Sequence, residues 1–291
     1  MTIAFISHPD CLLHDPGKEH PDRPERLYAI QDQLIRSGLE FVLVSHEAPL
    51  ATVEELARAH DPAYVADLFA RAPQKGILRL DDDTFMTPHT LNAARRAAGA
   101  AVHGVNLVTA GGINTAFCAV RPPGHHAGRG RAMGFCYFNN VAVGAAHALE
   151  VKGLERVAIV DFDVHHGNGT EEIFEHDARV LFCSSFQSPF YPFTGQARNS
   201  EHSVNTPLPA GSGGAQFRQQ IENCWLPALH RFAPQLLMIS AGFDGHLDDD
   251  MAQLNLLDTD YAWITGRIKE IADRYAQGRI VSTLELSLIH I

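Results

Sequence analysis

Short apolar runs alternate along this chain with longer segments in which apolar residues recur every three or four positions. The short runs are typical of strands buried on both faces, and the longer segments are typical of amphipathic helices. The predicted strands cover residues 3–7, 41–44, 114–120, 157–160, 180–184, 235–240 and 279–284. The predicted helices cover residues 22–38, 87–110, 140–150, 216–232 and 258–275, and two more begin at Thr52 and Asp61.

Residues with strong terminal preferences delimit several of these helices. Asp22 is the expected N-cap of the first helix, and residues 52–55, Thr-Val-Glu-Glu, match a capping box. The long alanine-rich helix should end at Gly111, and its small side chains predict close packing against a sheet. Residues 186–209 combine aromatic residues with prolines and are predicted to form a long loop.

The regular alternation of strand and helix predicts the fold class. Parallel strands joined by right-handed helical crossovers carry helices on both faces of the sheet. We therefore expect an α/β protein of three layers, α/β/α, with a mostly parallel central sheet. The chain has no internal repeat and no low-complexity linker, which favours one domain.

Polar residues gather where predicted strands end. Asp161, Asp163 and His165 follow one buried apolar run, and alternate positions of a strand point the same way. Asp244 follows another, and open parallel sheets bind ligands in the crevice at the carboxyl ends of their strands. Two carboxylates and one imidazole leave a position open for water at zinc, so Asp163, His165 and Asp244 are candidate zinc ligands.

A second polar group contains two adjacent histidines, His125 and His126, in a Pro-Gly loop after a third strand. Paired imidazoles in such a loop favour a role in proton transfer. Asp161 and Asn168 are the nearby candidates to orient them, and a carboxylate raises the proton affinity of a histidine more than an amide does. The two imidazoles could therefore titrate apart and take different roles.

Composition narrows the functional classes. The formal net charge of −11 argues against nucleic-acid binding and weakly favours a cationic substrate. The five cysteines form no C-x-x-C pair, which indicates free thiols in a reducing, cytoplasmic setting. The N-terminal sequence does not resemble a secretory signal, and no apolar run is long enough to span a membrane.

Four motifs carry a family resemblance. They are Arg-Pro-Pro-Gly-His-His-Ala at 121–127, Gly-Phe-Cys-Tyr-Phe-Asn-Asn at 134–140, Asp-Phe-Asp-Val-His-His-Gly-Asn-Gly-Thr at 161–170, and Ser-Ala-Gly-Phe-Asp at 240–244. From His20 to Glu285 the chain resembles the zinc-dependent histone deacetylase family, which includes bacterial deacetylase-like amidohydrolases and acetylpolyamine amidohydrolases. The asparagine at position 168 resembles the residue that class II and bacterial members of the family carry there. The resemblance implies an arginase/deacetylase-like fold.

The resemblance also implies a role for each site residue. Zinc would be held by the three candidate ligands, His126 would act as general base and acid oriented by Asn168, and His125 would pair with Asp161. Phe135, Gly134 and Tyr191 would line a narrow tunnel for the alkyl chain of an acylated lysine or small amine, and Asp83 would lie at its rim. The products would be acetate and a free amine, and the sequence is compatible with a homo-oligomer.

Structural potassium is a further expectation from the resemblance. The first site would use Asp161, Asp163, His165, Ser184 and the carbonyl of Ser185, and the second the carbonyls of Phe174, Asp177 and Val180.

The sequence departs from the family pattern after Glu285. The family reads Leu-Glu-Gly-Gly-Tyr, in which the tyrosine donates to the oxyanion, whereas residues 284–291 read Leu-Glu-Leu-Ser-Leu-Ile-His-Ile. We expect a single deacetylase-like domain over residues 1–285 that lacks its C-terminal portion, and a non-family tail over residues 286–291. Losing one oxyanion donor costs on the order of a hundred- to a thousand-fold in rate, so we expect feeble activity or none. His290 is a weak candidate for a substitute donor.

Two alternatives stay open beside lysine deacetylation, and a third is disfavoured. An acetylpolyamine deacetylase would use the same chemistry on a smaller substrate. A non-catalytic, metal-dependent binder of acylated ligands would be consistent with the missing tyrosine. An arginase-like enzyme with two metal ions would need further acids near the ligands, which His166 and His246 do not supply.

Overall fold

A parallel sheet of eight strands forms the centre of the molecule, whose computed structural model describes residues 2–196 and 200–287. The strands lie in the order β2-β1-β5-β10-β9-β6-β7-β8, and every pairing between them is parallel. These eight strands are β1 (Ile3–Ser7), β2 (Leu43–Glu47), β5 (Thr115–Cys118), β6 (Val157–Asp161), β7 (Val180–Gln187), β8 (Ser203–Leu208), β9 (Leu236–Ala241) and β10 (Ile280–Leu284). A separate antiparallel hairpin consists of β3 (Leu78–Arg79) and β4 (Phe85–Met86).

Helices cover both faces of the sheet, which confirms the predicted three-layer α/β/α class. The α-helices are α1 (Asp10–Leu13), α2 (Glu25–Arg36), α3 (Val53–Leu56), α4 (Pro62–Arg71), α5 (Thr90–Ala110), α6 (Asn140–Glu150), α7 (Asn168–Phe174), α8 (Gly214–Gln220), α9 (Leu226–Phe232) and α10 (Asp258–Tyr275). One apolar core lies between the sheet and α5 with α6, and a second lies between the opposite face and α8, α9 and α10.

Small side chains let α5 approach its neighbours closely, as its alanine content predicts. Ala97, Ala98 and Ala101 are fully buried. A Cβ atom added at Gly144 of α6 would lie 3.1 Å from the Cβ of Ala101, and one added at Gly99 would lie 2.0 Å from the carbonyl oxygen of Pro49. Contacts at this distance leave no room for larger side chains, so the pattern of small residues fixes how α5 is seated.

The strand latest in the chain, β10, lies in the middle of the sheet between β5 and β9. Next to β9 lies β6, so the carboxyl ends of β5, β10, β9 and β6 are neighbours. The three loops that carry the polar motifs follow β5, β6 and β9. The topology therefore brings these loops together at one edge of the sheet, as predicted.

Two predicted elements are wrong in detail. Asp22 does not cap α2: the residue is buried, and its Oδ1 accepts from Arg26 and Arg121, each at 2.7 Å. The predicted loop over residues 186–209 contains the strand β8. Strand propensity did not indicate this strand because Pro207 lies in it. Since β8 is an edge strand, the missing N–H of a proline can be tolerated there.

Two other boundaries shift. Residues 39–42 form a 3₁₀ turn, and the strand that was predicted at 41–44 begins at Leu43. The helix predicted over 216–232 is interrupted by a π-helical segment, Ile221–Trp225. Pro227 offers no N–H to the carbonyl four residues before it, which accounts for the wider turn.

Candidate metal centre and catalytic pocket

The three candidate metal ligands meet at the end of β6 and β9. One ligand atom each from Asp163, His165 and Asp244 lies within 4.8 Å of the others, and all three side chains are buried. Nδ1 of His165 lies 2.9 Å from Oδ1 of Asp163 and 3.1 Å from Oδ2 of Asp244. Within the described residues this is the one such group of three or more ligands.

The donor set fits a divalent cation. Nδ1 of His165 faces two carboxylate oxygens but can carry only one hydrogen. Oδ2 of Asp244 is buried without a hydrogen-bond partner among the described residues, and a buried carboxylate oxygen is costly when nothing neutralises it. Two carboxylates and one imidazole converging on a point therefore match the ligand type of a catalytic zinc site.

Backbone N–H groups hold these carboxylates in place. Oδ1 of Asp161 accepts from the N–H of Asp163 at 3.1 Å, and Oδ1 of Asp163 accepts from the N–H of His165 at 2.9 Å. Oδ1 of Asp244 accepts from the N–H of Val164 at 2.8 Å. The turn after β6 therefore orients its own ligands and the ligand delivered by β9.

Burial and mutual repulsion set the protonation of this cluster. Burial and the neighbouring Asp163 raise the pKa of Asp244 to about 7. Burial disfavours the charged form of His165, but the neighbouring carboxylates of Asp163 and Asp244 outweigh it and raise its pKa to about 9. Burial also opposes ionisation of Asp163, yet His125 and His165 keep the pKa of that carboxyl below its usual value.

The two adjacent histidines have different partners. Nδ1 of His125 lies 2.9 Å from Oδ2 of Asp161, and Nδ1 of His126 lies 2.7 Å from Oδ1 of Asn168. The two rings are 4.0 Å apart, and the ring of His126 is 5.7 Å from that of His165. The histidine pair thus lies beside the ligand cluster, and each imidazole faces the acceptor that the family resemblance implied.

The surroundings of the two imidazoles give them different pKa values. Burial lowers the pKa of His126 well below its usual value, and the neighbouring His125 and His165 lower it further. Burial acts in the same direction on His125, but Asp161 and Asp163 outweigh it and hold its pKa well above the usual value. An uncharged and a charged imidazole therefore lie side by side.

A cavity of about 190 Å³ opens onto this cluster. Its lining is Asp83, Pro123, His125, His126, Gly134, Phe135, His165, Phe190, Tyr191, Met251 and Leu286. All four residues that the resemblance assigned to the tunnel, Gly134, Phe135, Tyr191 and Asp83, are in this set. The cavity is mostly apolar away from the imidazoles, as the alkyl part of a substrate requires.

Backbone geometry shapes the cavity wall at Gly134 and Phe135, which both have positive φ, 55° and 66°. A Cβ atom at Gly134 would lie 2.4 Å from Cδ2 of His126, so only glycine fits there. The Gly134 N–H donates to Asp83, and the Phe135 N–H donates to Thr84, both at 3.1 Å. The loop between β3 and β4 therefore holds this wall in place.

Aromatic rings form the opposite wall. The ring of Phe190 stacks on His165 at 5.3 Å, and the ring of Tyr191 meets His126 edge-on at 5.3 Å. Burial raises the pKa of the Tyr191 hydroxyl, and the nearby carboxylate of Asp83 raises it further. Sequence reasoning missed Phe190, Met251 and Leu286, because apolar side chains in loops have no spacing that separates a cavity wall from a core.

The residues expected to bind potassium lie around β6, α7 and β7. Asp161 pairs in register with Ser184, and Ser185 follows on the same strand. The carbonyl of Phe174 accepts from the Asp177 N–H, and the carbonyl of Asp177 accepts from the Val180 N–H, both at 3.0 Å. The Ser184 hydroxyl is buried without a hydrogen-bond partner among the described residues.

The sheet, with carboxylates and imidazoles clustered at the ends of its central strands, defines an α/β enzyme with a hydrolytic type of site. Residues 20–285 match the family model described as "Histone deacetylase domain", and the chain therefore belongs to the histone deacetylase family.

Individual relatives agree with this assignment. The chain is 36% identical to a "Histone deacetylase-like amidohydrolase" of Pseudomonas aeruginosa, over 96% of this chain and 79% of that protein. It is 35% identical to the human "Polyamine deacetylase HDAC10", over 98% of this chain and 45% of that protein. Its fold matches the crystal structure of the HDA15 HD domain with a TM-score of 0.92 and 33% identity, over 98% and 82% of the two chains.

Family membership supports deacetylation as the activity of the chain.

Among the described residues, no helix is both long and apolar enough to cross a membrane.

Proposed function

We propose that this chain is a zinc-dependent amidohydrolase that removes acetyl or other acyl groups from lysine side chains or related amines. The observation that carries the proposal is the meeting of three candidate ligands with the imidazole of His126 at the base of an apolar cavity. Asp163, His165 and Asp244 would hold the zinc. When bound, zinc lowers the pKa of its water toward neutrality and polarises the acyl carbonyl.

His126 is the proposed general base. Oδ1 of Asn168 can only accept, so the hydrogen of the neutral imidazole lies on Nδ1 and leaves the lone pair of Nε2 free. Nε2 takes a proton from the attacking water as the water oxygen bonds to the acyl carbon. The same nitrogen returns the proton to the amine when the C–N bond breaks, which gives a carboxylate and a free amine.

His125 and Asp161 are proposed to support this step from the side of His126 that carries the ring of His125. The carboxylate of Asp161 fixes the orientation of His125 at 2.9 Å, and the ring of His125 lies against that of His126. A positive imidazolium here would stabilise negative charge that develops on the substrate oxygen.

The substrate class is an acylated, cation-bearing amine. The apolar cavity suits an alkyl chain, while Asp83 at the entrance and the net charge of −11 favour a positively charged partner. One relative is named an amidohydrolase and another a polyamine deacetylase, so both an acetyl-lysine peptide and an acetylated small amine are candidates.

Reduced turnover is part of the proposal. Residues 286–288 read Leu-Ser-Leu where the family resemblance expects Gly-Gly-Tyr, so the tyrosine donor to the oxyanion is missing. We expect the rate to be lower by about a hundred- to a thousand-fold than with that donor. Residues 288–291, which include His290, lie outside the described residues.

Two further properties follow the resemblance. We propose structural potassium beside Asp161, supported by the unpartnered, buried hydroxyl of Ser184. The five cysteines are free thiols, which supports a cytoplasmic setting.

The test combines zinc quantification, binding of a hydroxamate inhibitor, and turnover of an acetyl-lysine peptide and of N-acetylputrescine. Asp244→Asn should abolish zinc binding and hydroxamate binding, whereas Asp248→Asn, an exposed change outside the ligand set, should leave both intact. The proposal fails if the unmodified chain binds neither zinc nor hydroxamate.

A non-catalytic binder remains the second candidate because of the missing tyrosine. Leu286→Gly, Ser287→Gly and Leu288→Tyr together restore the family pattern. If that variant binds zinc and hydroxamate but still turns over neither substrate, the chain is a binder and the hydrolase proposal is wrong.

A further inference from the structure

Glu285 lies one residue beyond β10, at the centre of the sheet edge that carries the site, and its side chain is fully buried. Its Oε2 accepts from the N–H of Gly124 at 2.6 Å and from the N–H of His125 at 3.2 Å. Its Oε1 accepts from the hydroxyl of Ser240, the penultimate residue of β9, at 3.0 Å. One carboxylate thus bridges the histidine loop after β5 and the strand that leads to Asp244.

The backbone of Glu285 is itself held firmly. Its N–H donates to the carbonyl of Ala241 at 2.9 Å, and its carbonyl accepts from the guanidinium of Arg26. Arg26 is anchored by Asp22, which also binds Arg121, the first residue of the histidine loop. The loop over residues 121–125 is therefore held at its start by Asp22 and at its end by Glu285.

The opposite side of the loop offers no freedom either. A Cβ atom at Gly124 would lie 2.5 Å from the backbone nitrogen of Asn140 at the start of α6. The carboxylate of Glu285 and the first turn of α6 thus enclose the backbone of Gly124. His126 follows Gly124 by two positions in this loop. A shift of the Gly124 backbone therefore also moves the imidazole of the proposed base.

We propose that Glu285 is a positioning residue for the histidine pair, acting through the N–H groups of Gly124 and His125 without touching substrate or metal. This deepens the proposed function, because the histidine pair is useful only if its imidazoles face the reacting atoms. A displacement of about 1 Å at a catalytic group can cost about 100-fold in rate.

Two variants separate the effect of the length of the Glu285 side chain from the effect of its charge. Glu285→Asp keeps the carboxylate but withdraws it by about 1.5 Å, one C–C bond, so it no longer reaches the loop. Glu285→Gln removes the charge but keeps the reach: its amide oxygen can accept from both N–H groups, and its NH₂ can donate to Ser240. Ser240→Ala is the matched control, because it leaves both bonds to the loop in place.

We expect kcat to fall about 100-fold in Glu285→Asp, with KM changed less than about threefold and zinc content unchanged. Glu285→Gln should recover most of this loss, and Ser240→Ala should show little of it. An independent readout is the proton NMR resonance of the His125 Nδ1–H, which faces Asp161. It should move in Glu285→Asp and stay in place in Ser240→Ala.

The outcomes are distinct. Unchanged kcat and an unchanged His125 resonance in Glu285→Asp overturn the proposal, and so does a Glu285→Gln variant that loses more than Glu285→Asp, because charge would then be the cause. A turnover too low to measure in the unmodified chain is compatible with the missing tyrosine donor; the resonance then tests the positioning role, and zinc and hydroxamate binding test the proposed function. Near-UV circular dichroism verifies that each variant is folded.

Discussion

At the scale of the residue, the proposed chemistry depends on a single difference between two neighbouring imidazoles. His125 faces a carboxylate and His126 faces an amide, at similar distances of 2.9 and 2.7 Å. A carboxylate stabilises the charged imidazole far more than an amide oxygen does. The sequence could offer Asp161 and Asn168 as candidate acceptors, because they lie in a motif directly behind a buried strand, and the family resemblance implied which histidine each one faces.

Asn168→Asp tests this difference. A carboxylate opposite Nδ1 of His126 should raise the pKa of that imidazole, by about one unit or more. Since His126 must be uncharged to accept a proton, the acid limb of the kcat/KM profile should move to higher pH. The profile over pH on one acylated substrate measures the shift, and a limb that stays in place or moves to lower pH would contradict the assigned base.

If the acyl group binds in the cavity as proposed, Leu286 limits the space for it. Its side chain lines the cavity, whereas its backbone N–H faces Asp163 and its carbonyl accepts from Phe243. Leu286→Ala keeps the backbone bonds and widens the cavity, so kcat/KM for a butyryl relative to an acetyl substrate should rise about tenfold. Competition between the two substrates measures the ratio. Leu247→Ala, at an exposed position, should not change it.

At the scale of the element, the sequence predicted regular segments well and irregular ones poorly. The bounds of α10 agree with the prediction, and the capping box at Thr52 is present with both of its hydrogen bonds. Asp22 has the residue type of a cap but forms buried ion pairs instead. Sequence could not show this, because the partner Arg121 is 99 positions away.

Two glycines in helices provide matched tests of packing. Gly99→Ala in α5 would place its Cβ 2.0 Å from the carbonyl oxygen of Pro49, a backbone atom that cannot move aside. We expect a loss of about 1–3 kcal/mol in the free energy of unfolding. Gly266→Ala in α10 meets nothing within 4 Å. It should stabilise by about 0.5–1 kcal/mol through helix propensity.

Urea unfolding of the two glycine variants beside the unmodified chain measures both effects. A Gly99→Ala protein as stable as the parent would show that α5 is not seated as closely as described. A destabilised Gly266→Ala protein would contradict the open surface assigned to that face of α10.

At the scale of the whole molecule, the alternation of strands and helices was enough to predict the fold class, and the positions of the polar motifs were enough to predict which loops meet at one edge of the sheet. Parallel topology explains this success, because it places the loops after β5, β6 and β9 at one edge. The cavity walls formed by Met251 and Leu286 and the contact from Glu285 to Gly124 could not be predicted. They depend on distances between loops that no local pattern encodes.

The free energy of unfolding should depend on pH, because buried histidines have different pKa values in the folded and unfolded states. His60 donates from Nδ1 to the Gly128 carbonyl and accepts at Nε2 from the Asn139 N–H, so it is neutral, and burial lowers its pKa to about 4. In the unfolded chain its pKa returns to its ordinary value of 6.5. Between these values only the unfolded state binds the proton, so stability is full above that range and falls as the pH decreases.

We expect His60 to contribute a slope of about 1.4 kcal/mol per pH unit in this window. Glutamine can make the same two hydrogen bonds without titrating, so His60→Gln should show a shallower decline. Urea unfolding between about pH 7 and about pH 5 compares the two slopes. Equal slopes would mean that His60 is not the group responsible.

The central place of β10 has a consequence for biosynthesis. It bridges β5 and β9, which have no pairing with each other, so the sheet consists of two separate halves until residues 280–284 are available. On the ribosome, a nascent chain that has not yet released this segment from the exit tunnel would expose both inner strand edges. Such edges pair readily with other chains. We therefore expect translational pausing shortly before residue 280 to increase demand for chaperones that shield nascent polypeptides.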